Sequence, residues 1–205
     1  MVDGHPRAVW VGELPESSDL GDHFVRPQPP DMGEKVWQVK LAQEARRVAQ
    51  LLKTSNQRVV FAESCTAGLV SAQLAAVPGI SDVHCGSFVT YRNRSKQDWL
   101  SVPEGLLQDP GPVSEIVASK MAEGALRQTR EARIAVSVTG HLGPNAPKRQ
   151  AGVVFIGVAI HMADASKPGI EVSRHRLKAT TRHARQREAA GLVFSNLIRV
   201  LGRGV

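Results

Sequence analysis

The sequence predicts a three-layer α/β/α sandwich around a mixed, mostly parallel sheet, in one domain covering residues 34–205. Three observations lead there. Short apolar runs alternate with longer segments of helical periodicity, the pattern of a sheet covered on both faces. The run Ile134-Ala135-Val136-Ser137-Val138 is apolar without strict alternation, as in a strand buried on both faces. Finally, Val153–Ile160 and Glu171–Leu177 follow one another with no helical segment between them. They are expected as adjacent strands, which makes the sheet mixed.

The elements follow in order. Residues 1–33 carry Pro27, Pro29 and Pro30, end at Gly33 and show little periodicity, so they read as an extended or poorly ordered arm in which Trp10 could serve packing or an oligomer contact. From Glu34 to Thr54 apolar residues recur at Val36, Val39, Ala42, Ala45, Val48, Ala49 and Leu52, one face of an amphipathic helix. Arg58–Ala62 is a short strand that breaks at Glu63-Ser64-Cys65-Thr66 into a small-residue helix, Ala67–Ala76, closed by Pro78-Gly79. A strand over Val83–Tyr91 precedes a polar helix, Asn93–Leu100. Ser114 is placed to cap a helix reaching Thr129, with Glu115 complementing its dipole. After the central strand a Gly/Pro loop, Thr139–Gly152, leads into the late strand pair, and Thr181–Val200 is the closing helix.

Composition narrows the function classes. At 42% hydrophobic and 22% charged, 205 residues suit a soluble globular domain that folds without staples or metal. The two cysteines, Cys65 and Cys85, sit in no C-x-x-C pair and read as small packing residues, and no His/Cys cluster has zinc-like spacing. A reducing cytoplasm is expected. No run approaches the roughly 20 apolar residues of a membrane span, and the acidic, proline-containing start is unlike a secretory signal. The net charge of +7 favours anionic partners, with the basic residues concentrated late, at Arg174, Arg176, Lys178, Arg182, Arg185 and Arg187. Three Trp, one Tyr and five Phe make a poor stacking surface, so nucleic acid is not expected as the main partner; a solvated basic helix face explains the charge equally well.

Ligands of open α/β sheets gather at the carboxyl ends of strands. Three segments reach that edge: Glu63-Ser64-Cys65-Thr66, Thr90-Tyr91 continuing to Lys96, and Thr139-Gly140-His141-Leu142-Gly143-Pro144. A serine at a strand-to-helix turn can act as a nucleophile with backbone donors at hand, or it can merely cap the helix. Lys96 can serve as a base if burial lowers its pKa, or it can be a solvated lysine beside Arg92 and Arg94. Cys65, near a helix N-terminus, is a minor candidate nucleophile. Gly140 and Gly143 permit close backbone approach to a ligand.

Five segments occur in a fixed order: Phe61-Ala62-Glu63-Ser64-Cys65-Thr66-Ala67-Gly68, Pro78-Gly79-Ile80-Ser81, Val89-Thr90-Tyr91-Arg92-Asn93-Arg94-Ser95-Lys96, Gly111-Pro112-Val113-Ser114-Glu115 and Ser137-Val138-Thr139-Gly140. From about Lys35 onward this order resembles the C-terminal domain of the CinA (competence/damage-inducible) proteins, also known as the stand-alone nicotinamide-nucleotide amidase. The resemblance implies an α/β/α fold, a homo-oligomer, and a metal- and cofactor-independent deamidation of nicotinamide mononucleotide to nicotinate mononucleotide and ammonia. It places Ser64, Ser81, Tyr91 and Lys96 in catalysis, with Ser64 as nucleophile and Ser81 as the alternative, Lys96 as base and Tyr91 orienting the lysine or relaying a proton. The substrate is then expected against Glu63, Cys65, Thr66, Thr90, Thr139, Gly140, Gly143 and Arg182, the last suited to a phosphate.

Departures from the family pattern fall around the substrate. Ala67 stands where a first glycine is usual, which strains the turn if its φ is positive. The loop His141–Gly152 is shorter and poorer in glycine than expected, and Thr180-Thr181-Arg182 replaces Gly-Asp-Arg. A nucleotide-binding module without turnover, and a basic nucleic-acid-associated protein, are the competing readings.

Overall fold

The computed structural model describes residues 32–143, 146–147, 150–162 and 166–203. The chain forms β1 (Val59–Glu63), β2 (His84–Val89), β3 (Ile134–Gly140), β4 (Val153–Ile160) and β5 (Gly169–Arg176). Between and around them lie α1 (Met32–Thr54), α2 (Leu69–Ala75), α3 (Asn93–Leu100), α4 (Glu104–Gln108), α5 (Glu115–Gln128) and α6 (Arg182–Leu201). The sheet order is β2-β1-β3-β4-β5. β1 pairs in parallel with β2 and β3, and β4 pairs antiparallel with β3 and β5. Only β4 is therefore reversed, so the sheet is mixed with most strands running one way, as the two consecutive late strands required.

Alternation along the strands builds two unlike faces. Val59, Phe61, Ile134, Val136, Val138, Val154, Ile156 and Val158 form a bulky face under α1, α2 and α6. The opposite face is small, with Ala62, Ala135 and Ala159 against α5 and its Val117, Met121 and Ala125. Smallness there lets α5 lie close: Ser137 Oγ donates to the carbonyl of Ala118 at 2.6 Å, and a Cβ on Gly157 would stand 2.7 Å from the same oxygen. Ser114 caps α5 as expected, its hydroxyl accepting from the Val117 amide.

Some boundaries differ from expectation, for local reasons. α1 begins at Met32, so the last two residues assigned to the arm, Met32 and Gly33, belong to a helix; Trp10 and the rest of the arm lie outside the described residues. α2 starts at Leu69, not Ala67, because Ala67 and Gly68 take left-handed φ angles of 53° and 93°. The short α4 was not anticipated, five residues being too few to show a period. Among the described residues no helix is long and apolar enough to cross a membrane.

Gly157→Ala is expected to cost about 1–3 kcal/mol by overpacking α5 against the sheet. A thermal melt should show a midpoint several degrees lower; an unchanged midpoint would mean that the helix–sheet gap is not set by this contact.

Candidate active site

The turn after β1 is held on both sides by the sheet. The Ser64 amide donates to the carbonyl of Val138 at 3.0 Å, and the Thr90 amide to that of Glu63 at 2.8 Å, so pairing continues one step past the strand. Ser64 is thereby fixed at the carboxyl edge between β2 and β3. Glu63, fully buried, accepts from the amides of Gly68 (2.9 Å), Val70 (3.1 Å) and Ser71 (2.9 Å) and from Ser87 Oγ (3.1 Å). Those amides are the orphan donors at the start of α2. Glu63 is a capping residue and not the substrate contact that was expected, and neither Ser64 nor Thr66 supplies the cap. The same carboxyl occupies amides at the helix start that would otherwise be open to a bound anion.

Lys96 comes from the next strand end. β2 passes through Thr90 and Tyr91 into α3, where position 96 falls with Leu100 on the buried side. Lys96 is 1% exposed; its Nζ donates to the carbonyl of Thr90 at 2.7 Å and to Ser64 Oγ at 3.1 Å. Burial, with no carboxylate beside it among the described residues, pulls its pKa down to about 8. Ser64 is 8% exposed, open enough to meet a small molecule from one side.

The pair lines a cavity of about 430 Å³ whose other walls include Tyr91, Asn93, Pro112, His141, Leu142 and Arg182. No Asp or Glu is among the described residues that line it, so its charge is cationic and suits an anionic ligand. Tyr91 is 54% exposed, and its hydroxyl accepts from Arg182 Nη2 at 2.7 Å. Among the described residues Lys96 has no hydrogen bond to Tyr91. The lysine is oriented by the Thr90 carbonyl, and Tyr91 belongs to the outer wall with Arg182.

The remaining expected residues divide. Thr139 and Gly140 line the cavity, but the Thr139 hydroxyl donates to the carbonyl of Pro112 at 2.8 Å, and a Cβ on Gly140 would press into Val154. Glycine there answers to strand packing first. Gly143 also lines the cavity, with room for a Cβ 3.5 Å from the Arg182 guanidinium. Cys65 lines it too, yet burial pushes its thiol pKa up to about 12, which removes it as a nucleophile near neutral pH. Thr90 contributes its carbonyl and not its hydroxyl. Thr66 faces a second, neighbouring cavity with Ala67, Gly68 and His183.

Ser81 is not at the site. It is exposed, in the turn before β2, next to Asp82, whose carbonyl accepts from Arg58 Nε at 3.1 Å. That is the amino edge of the sheet, because β1 and β2 are parallel with Val59 opposite His84. The five residues of β1 stand between Ser81 and Ser64, roughly 16 Å at strand rise.

Sequence reasoning missed Asn93 and the Pro112-Val113 wall, and it missed Arg185, Gln186 and Glu188 on α6. The Gly-Pro-Val-Ser segment marked the wall without a role. Arg185 and Gln186 follow Arg182 by three and four residues, the spacing of one helix face, and that was the available signal.

The family model described as CinA C-terminal domain matches residues 41–201. The chain belongs to the CinA C-terminal domain family. A "CinA-like protein" of Fervidobacterium nodosum is 33% identical over 174 residues, 84% of this chain and 41% of its own length. One of Synechococcus sp. is 46% identical over 114 residues, 55% of this chain and 27% of its own length. The chain thus spans well under half of these curated relatives. The crystal structure titled competence/damage inducible protein CihA, from Agrobacterium tumefaciens, superposes with a TM-score of 0.72 at 30% identity, over 80% of this chain and 96% of that one. A Klebsiella pneumoniae competence damage-inducible protein A shares the fold at a TM-score of 0.74 and 24% identity, over 80% of this chain and 99% of that one.

In this CinA C-terminal domain the departure at Ala67 is a strained one: φ is 53° at a residue with a Cβ. Ala67→Gly is expected to stabilise by about 1 kcal/mol, raising the thermal midpoint by about 2–4 °C. A lower midpoint would show that the alanine methyl packs usefully enough to outweigh the strain.

Proposed function

We propose that this chain is an amide hydrolase that converts the carboxamide of a phosphorylated nucleotide, nicotinamide mononucleotide foremost, into the acid and ammonia. The contact that carries the reading is the 3.1 Å approach of Lys96 Nζ to Ser64 Oγ inside a cavity lined by no acid among its described residues. A lysine with pKa near 8 is about one-tenth neutral at pH 7, enough to act as a general base. Neutral Lys96 takes the Ser64 proton while Oγ bonds to the amide carbon and the carbonyl π pair moves onto oxygen. The amides of Cys65 and Thr66, neither of which has a backbone acceptor among the described residues, are the donors this turn offers to that oxyanion. Lysinium then protonates the amide nitrogen, the C–N bond breaks and ammonia leaves. Water, deprotonated by Lys96, attacks the acyl ester, and Ser64 is restored as the acid departs.

Arg182 at the mouth supplies a fork for the substrate phosphate, in exchange for its bond to Tyr91. Of the other late basic residues, Arg185 donates to the carbonyls of Ala179 and Leu142 and Arg176 to that of Ala151, so these side chains serve local structure and a phosphate-tracking stripe is not needed to explain them. The reading includes a homo-oligomer, as the family resemblance implies, and a cytoplasmic setting, as the unpaired spacing of the two cysteines leads one to expect. A nucleotide binder without turnover is the second reading, favoured by the altered His141–Gly152 loop.

Ammonia release from nicotinamide mononucleotide separates the two. Ser64→Ala and Lys96→Met are each expected to lose about 10³-fold or more in kcat/KM while keeping a cooperative melt, and Ser81→Ala to stay near the starting activity. Because the neutral amine is the active form, kcat/KM should climb about tenfold per pH unit below pH 8 and level off above it. Nucleotide binding with no ammonia at any pH would select the binding module, and a flat profile would remove Lys96 as the base.

A further inference from the structure

The first turns of α6 reach three walls of the cavity. Arg182 donates to Tyr91, and Gln186 Nε2 donates to the carbonyl of Cys65, on the nucleophile's turn, at 3.2 Å. Arg185 Nη1 donates to the carbonyl of Leu142, in the loop wall, at 3.2 Å. The Arg185 guanidinium is itself fixed, since its Nε donates to the carbonyl of Ala179 at 2.8 Å. That residue is held in turn by Glu188, whose carboxyl accepts from the amides of Lys178 and Ala179 at 2.8–2.9 Å. Gly152, at φ 72°, leaves space beside the guanidinium, where a Cβ would come within 3.7 Å of Nε and Cζ.

The loop wall needs such a support. Pairing between the β3 and β4 ends reaches His141, whose amide donates to Val153 at 3.0 Å and whose carbonyl accepts from the Gly152 amide at 2.8 Å. Leu142 and Gly143 lie beyond this pairing yet line the cavity. Arg185, which does not line the cavity itself, joins Leu142 to a helix buried against the sheet. Two carbonyl acceptors in different directions call for the rigid guanidinium fork, which a lysine ammonium does not reproduce.

We propose that Arg185 is the positioning residue of this site: it fixes the 142–143 wall against the Ser64–Lys96 pair and so sets substrate affinity without touching substrate. The kinetic half of this inference rests on the amidase reading above; the geometric half does not. Hydrogen exchange read by mass spectrometry, together with steady-state kinetics, tests both on the full chain. In Arg185→Gln the peptides covering 140–143 should exchange faster while those covering 64–66 keep their protection. KM should rise about tenfold, the scale of one lost charged hydrogen bond, with kcat within about twofold and the pH midpoint unmoved. Arg185→Lys should fall between the two. Gln186→Ala should give the opposite signature, with protection lost at 64–66 and kcat lowered. Unchanged exchange at 140–143 in Arg185→Gln would overturn the inference, as would a fall in kcat that tracks the thermal midpoint at constant KM. If the parent chain releases no ammonia, the amidase reading fails by itself, and the exchange pattern still decides whether Arg185 holds the wall.

Discussion

The structure turns on a lysine amine kept out of water beside a serine hydroxyl. Lys96 gives up hydration for two oxygen partners, the Thr90 carbonyl and Ser64 Oγ. Among the described residues no carboxylate accompanies it, so burial outweighs the small opposing pull of the Cys65 side chain, and its pKa moves toward the range in which a base is useful. A salt bridge in the same place would hold the proton on. What lowers the amine's pKa is thus a counter-charge missing among the described residues as much as its burial.

That arrangement depends on the sheet. Two parallel neighbours, β1 and β2, end at the same edge. The first delivers Ser64 directly, and the second delivers Lys96 one helical turn later on the inner side of α3. Glu63 keeps the Ser64 turn in shape by occupying the amides of α2, and Gln186 pulls on the carbonyl of Cys65 from the other side. The site is therefore braced by polar contacts to backbone atoms, each saturating a buried or part-buried donor or acceptor. Strain remains at Ala67, next to the Ser64 turn, and departures from local preference are commonly found beside candidate sites.

Much of this was legible in the chain, and for identifiable reasons. β4 lies where its run of Val and Ile placed it, α5 lies where its Ser114 cap placed it, and α3 spans the polar stretch expected to be helical, because these signals are local. Ser64 and Lys96 were singled out by motif order, and each could equally have been a helix cap or a solvated cation. Glu63 was misassigned because a carboxyl beside a candidate nucleophile looks like chemistry, while the amides it saturates lie five to eight residues ahead in a turn whose path depends on two left-handed residues. Tyr91 was paired with the wrong cation. Lys96 is five positions on, yet the Tyr91 hydroxyl meets Arg182, 91 positions away.

The sequence by itself determined the layers, the strand ends at which chemistry could gather and the small set of hydroxyls and amines available there, since periodicity and turn residues act over a few positions. Only the tertiary structure brought Ser64, and not Ser81, against Lys96 and set the surroundings of the lysine. Parallel pairing sends Ser81 to the opposite edge of the sheet from Ser64, and a pKa depends on everything that surrounds an amine in three dimensions, which no stretch of chain around position 96 contains.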